Sequence, residues 1–217
     1  MLLSILIFTS SIILLYLSSR SLINQLLKLF SKITKSKTIS INLLFFLLLP
    51  GIFLHEFSHI LTAAILHVPT GKMTLKPMLH GSKPSTSSLQ LGSAQIAHTD
   101  PIRLTLIGTA PFIFGTAILW LILTFGLNLN PTTITFTSLS ALTNLSIYLL
   151  LLFGYLLFAI SNTMFSSPSD LQSAGLPIIL ILIILGIFKL TNLNLPQSIL
   201  TYITNFLSLL SIIFFLT

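Results

Sequence analysis

The chain has 217 residues, of which 54% are hydrophobic and only 6% charged, with ten basic side chains, three acidic ones and a net charge of +7. A mean hydropathy of +1.04 excludes a water-soluble globular domain, in which about a quarter of the residues carry charge, and points to a polytopic membrane protein forming a single membrane domain, residues 1–217. The basic residues stand between apolar runs, where they suit anionic headgroups of the lipid bilayer, so no nucleic-acid partner is expected; the lack of cysteine leaves only nitrogen and oxygen to bind a metal.

Met1 to Leu17 is apolar and has neither a leading positive charge nor a small-x-small site after it, so it reads as a retained span. Ser21 to Lys37, with Arg20, holds five of the ten basic residues. Leu22, Leu26, Phe30 and Ile33 fall on one helical face and Lys28, Lys32 and Lys35 on the other. That pattern predicts a basic amphipathic helix lying in the interface, or a charged loop. Ile41 to His67 is long enough to span, with Pro50-Gly51 interrupting it one turn before His55. Val68 to Thr99 is the one extended polar region. Lys72 to Lys76 and Ser88 to Leu91 alternate with period two around the turn residues Gly81 to Ser85, which predicts a β-hairpin.

Leu104 to Leu127 is the next span, opened by Asp100-Pro101-Ile102-Arg103. Its small residues Gly108-Thr109-Ala110, ahead of Pro111, suit close helix approach. Asn128 to Thr137 reads as an uncharged loop and Ser140 to Ile160 as a further span, followed by an irregular stretch from Ser161 to Asp170. The apolar runs Leu176 to Leu190 and Ser198 to Leu216 close the chain. The expected fold is an all-α polytopic membrane protein with about six transmembrane helices and a small β-hairpin between the second and third. A core of residues 41–175 is flanked by an N-terminal part, 1–40, and two C-terminal spans within 176–217. The expected location is the cell membrane, as a multi-pass protein.

The chemistry concentrates in His55-Glu56-Phe57-Ser58-His59, where one of the three acidic residues lies between two of the five histidines. Positions four apart share a helix face, so His55 and His59 can hold one metal ion while Glu56 reaches its water. The plainer alternative is a hydrogen-bonded histidine pair in a core. It is disfavoured because an ionisable triplet at lipid depth is costly and marks function. A zinc ion commonly takes three protein ligands plus water. No second Glu follows, and Thr62 and Ile65 occupy the places of the glycine and third histidine in the extended form of the motif.

The remaining candidates for the third ligand are Asp170, Asp100, His67, His80 and His98. His67 lies two turns along the same helix from His59, and His80 and His98 fall in the polar region. Asp100 precedes a proline and suits a helix N-cap. Asp170, in a Pro/Ser-rich segment able to fold back toward a buried ion, is preferred.

His55 to His59 in a membrane helix, followed by Asn162 and then Asp170 at the end of a later span, resembles the site-2-protease class of intramembrane zinc metalloproteases, peptidase family M50. The second motif of that family is an Asn, prolines, then Asp-Gly. Here Phe165 takes the place of the first proline, Pro168 keeps another, and Leu171 replaces the glycine. The resemblance covers residues 41–175. It implies Zn2+ held by His55, His59 and Asp170, Glu56 as catalytic base, Asn162 near the substrate, a membrane-associated β-hairpin, and the end of the His55 helix toward the cytosol. That orientation puts Lys72, Lys76, Lys83 and Arg103 inside but the cluster from Arg20 to Lys37 outside, so charge does not decide it. The expected function is that of a zinc-dependent metalloendopeptidase hydrolysing a peptide bond within or near a transmembrane segment of a substrate protein. The alternative is an inactive scaffold or pseudoprotease that binds transmembrane partners, with a metal carrier behind it.

Overall fold

The computed structural model describes residues 2–80, 88–129 and 145–164, with scattered positions between 201 and 213. Residues 2 to 34 contain no glycine or proline, and nothing interrupts helix α1, Leu2–Thr34. At 33 residues it is about 50 Å long. The expected N-terminal span and interfacial segment are therefore one helix. The predicted apolar face holds in part: Leu26 and Phe30, with Ile23 and Leu27, pack on Leu44, Phe45, Leu48 and Ile52, so the face covers protein, whereas Ile33 is 68% exposed and Leu22 is outside the cluster. Lys28, Lys32 and Lys35 point outward.

A tight turn reverses the chain. Lys35 adopts φ 54°, Thr34 Oγ1 donates to the Phe30 carbonyl at 2.8 Å, and Ser40 Oγ donates to the Ser36 carbonyl at 2.7 Å. Helix α2, Lys37–Ile65, returns along α1 and runs through Pro50 without a break. The expected interruption is thus absent, although proline still removes the N–H that the Phe46 carbonyl would accept. Helix α2 is the centre of the molecule, touching α1, both later helices and the sheet.

The hairpin expected from the alternating pattern is present, but it is longer and built in two stages. Strand β1, Thr70–Thr74, pairs antiparallel with β4, Ser93–Ile96, and β2, Met78–His80, pairs with β3, Ser88–Gln90. Between the stages Pro77 has no N–H for the ladder, and Leu91-Gly92 stand on the returning strand. The turn residues 81–85 lie outside the described residues. Leu75 and Leu91 join the cluster formed by α1 and α2, so the hairpin folds back along α2.

Helix α3, Pro101–Leu121, continues as a π-helical turn, Ile122–Gly126. Its N-cap is Asp100, whose Oδ1 accepts from the Arg103 N–H at 2.9 Å, with Pro101 in the first turn. Helix α4, Ile147–Thr163, starts later than the expected span. It also ends later, which puts Ser161, Asn162 and Thr163 in its last turn rather than in an irregular stretch. Leu15 of α1, Leu119 and Leu123 of the α3 unit, Leu157 and Ile160 of α4, and Leu210 and Ile213 form a second apolar cluster.

Among the described residues, two helices are long and apolar enough to cross a membrane, Lys37–Ile65 and Pro101–Gly126. The expected six spans are not supported. Helix α4 has 17 residues, short of the roughly 20 that a span requires, and the runs 176–190 and most of 198–216 lie outside the described residues.

Polar side chains are buried beside the apolar clusters, and large apolar side chains stand on the outside. Ser11, Ser19, Ser58, Thr116, Ser161 and Thr163 are buried with the ionisable triplet of α2, while Phe46, Phe53 and Phe57 of α2, Ile113 of α3 and Leu151 of α4 are exposed.

Candidate metal centre

Helix α2 carries His55, Glu56 and His59 in its second half, and the packing of α3, α4 and the hairpin leaves them only 3%, 6% and 6% exposed. The four-residue spacing sets the two imidazoles on one face. Their rings meet edge to face with centroids 4.9 Å apart, and the two Nε2 atoms are 3.3 Å apart. Two nitrogens each about 2.0–2.1 Å from a tetrahedral zinc ion stand about 3.3–3.4 Å from one another. The spacing matches two corners of a zinc tetrahedron, and it is equally the length of a hydrogen bond between the two rings.

The other nitrogen of His59 is also placed. Its Nδ1 lies 2.8 Å from the carbonyl oxygen of Ile107 on α3. A carbonyl can only accept, so Nδ1 carries a hydrogen; in the neutral form of the ring this leaves the Nε2 lone pair on the side facing His55. Histidines that bind metals are held in this way by an acceptor behind the ring. Between them, fully buried Ser58 is satisfied inside the helix, its hydroxyl donating to the His55 carbonyl at 2.6 Å.

Glu56 projects toward the hairpin. Gly92 lies against it so closely that a Cβ there would stand 2.9 Å from both Cγ and Oε1 of Glu56 and 3.1 Å from Ile52 Cγ2. The absence of a side chain at residue 92 is what lets the returning strand cover the carboxylate. On another side of α2, a Cβ on Gly51 would run into Thr163 Oγ1 and the Ala159 carbonyl, so α2 and α4 meet backbone to backbone one turn before His55. A narrow crevice beside His55 is lined by Gly51, Leu54, Pro111, Gly115, Thr163 and Met164.

The remaining sequence candidates are dispersed. Asn162 is buried in the last turn of α4. Its Nδ2 donates to the Phe158 carbonyl at 2.8 Å, and its backbone carbonyl accepts from Ser19 Oγ at 2.9 Å. His67 is exposed just past α2, His98 is exposed after β4, and His80 lies in β2. Asp100 is exposed in the α3 cap, and its Oδ2 is 3.2 Å from Arg103 Nε. The Arg103 N–H, supported by the guanidinium, holds its carboxyl below the ordinary carboxylate value. Asp170, Phe165, Pro168 and Leu171 lie outside the described residues. Among the described residues no group of three or more His, Asp or Glu stands together as a metal cage; the described part of the centre is the histidine pair with Glu56 beside it.

Two participants were missed in the sequence. The Ile107 carbonyl is signalled only by Pro111 four residues later, and Gly92 only by its position between the two stages of the hairpin. No protein-family model, curated protein or solved structure matches the chain.

Proposed function

We propose that the protein is a zinc-dependent intramembrane metalloendopeptidase of the site-2-protease kind, multi-pass in the cell membrane, that hydrolyses a peptide bond within or near a transmembrane segment of a substrate protein. The observation that carries this reading is the 3.3 Å separation of the His55 and His59 Nε2 atoms, with His59 braced from behind by Ile107. Asp170 is proposed as the third ligand. The membrane assignment is supported by the exposed large apolar side chains of α2, α3 and α4 and by the polar groups buried between the helices, since apolar surface is tolerated in lipid and polar groups there turn toward the bundle interior.

A zinc ion bound at the pair supplies Lewis acidity and lowers the pKa of a bound water to about 7. Glu56 takes a proton from the attacking water on its carboxylate and returns it to the leaving amine. Burial strengthens the electrostatics of that transfer. A substrate helix must unwind before cleavage, because its peptide groups are shielded by their own hydrogen bonds. The edge of the hairpin can hold it extended by strand addition, and Asn162 is proposed to lie near it.

Metal analysis tests the reading before any substrate is known. Purified wild type is expected to hold about one zinc per chain, and His59→Ala and Asp170→Ala to hold little or none. A folded, metal-free wild type overturns the proposal in favour of an inactive membrane scaffold.

A further inference from the structure

In an α-helix the carbonyl of each residue accepts from the N–H four positions later. The carbonyl of Ile107 would look to residue 111, and that residue is proline, which has no N–H. A buried carbonyl without a partner is costly, so the helix must satisfy this one from outside. The donor is His59 Nδ1, at 2.8 Å. Ile107 is 1% exposed, and Pro111 is buried within α3, lining the crevice beside His55.

We infer that Pro111 is a positioning residue: by leaving the Ile107 carbonyl open to His59, it fixes the Nδ1–H form of that ring and so dedicates Nε2 to the metal. The inference rests on the metalloprotease reading for its consequence, but the tautomer it assigns exists with or without metal. An ordinary residue at 111 would return a competing N–H to the Ile107 carbonyl. His59 would then share its acceptor, its ring would lose orientation, and both tautomers would be populated. The helix itself would gain, because proline is the least favourable residue in a helix interior.

The test uses full-length protein in detergent, with histidine nitrogens labelled by 15N, as wild type and as Pro111→Ala. Without metal, wild-type His59 is expected to be protonated at Nδ1, and Pro111→Ala to give a mixture of tautomers. Titration with zinc alone is expected to be about 10–100-fold weaker in Pro111→Ala, while the melting temperature stays level or rises. Loss of affinity without loss of stability is an outcome that a purely structural proline would not produce. Protonation of wild-type His59 at Nε2 overturns the inference, as does an unchanged zinc affinity in the variant. Should wild type bind no zinc, the metalloprotease reading fails, and the tautomer still decides the role of Pro111. Should Pro111→Ala not fold, the wild-type tautomer decides it.

Discussion

Gly92 rests on Glu56, and a single added methyl group would stand 2.9 Å from the carboxylate oxygen Oε1. Gly92→Ala must therefore move either the hairpin or the carboxylate. The expected outcome is loss of peptide cleavage with zinc content retained, at a stability cost of about 1–3 kcal/mol. Cleavage assays set beside metal analysis check it; a variant that cleaves normally would show that the contact is incidental.

Glu56→Gln keeps the shape of the side chain and removes its basicity. Zinc content should be unchanged, whereas cleavage should fall by about 10²–10⁴-fold, the usual contribution of a positioned base. Retention of full activity would refute the role given to Glu56.

Gly51→Ala places a methyl group against Thr163 Oγ1 and the Ala159 carbonyl. The expected cost is about 1–3 kcal/mol, read as a lower melting temperature in detergent. Adding Thr163→Ala should recover only part of the loss, because the Ala159 carbonyl belongs to the backbone and stays in place.

Asp100 supplies a pH dependence of known sign. Its carboxyl is held below the ordinary value of 3.8, chiefly by the Arg103 N–H and then by the guanidinium. The stabilisation is complete above that ordinary value and is lost as pH falls through the lower folded value. Asp100→Asn keeps a capping acceptor and removes the titration, so the advantage of wild type over this variant should vanish in acid. The effect is small, since the two side chains are 50% and 48% exposed and such pairs are screened by water. Thermal unfolding of both proteins across acid pH measures it.

Local rules were enough for some of this architecture. The spacing of His55 and His59 is dictated by helical geometry, the Asp100-Pro101 cap by the chemistry of a helix start, and the hairpin by side-chain alternation. Each of these is set by residues close together in the chain. The continuity of α1 was not legible, because an amphipathic helix bearing lysines looks the same whether its apolar face meets lipid or another helix. The two-stage strand pairing depends on Pro77 opposing Leu91-Gly92 across the hairpin. The roles of Ile107 and Gly92 require knowing which backbone groups come to lie against α2, a fact of tertiary contact rather than of pattern.

The meeting of α2 and α4 at Gly51 has a consequence for where α4 ends. Met164, where α4 ends, is buried and lines the same crevice as His55, so the close approach at Gly51 brings the end of α4 beside the imidazole pair.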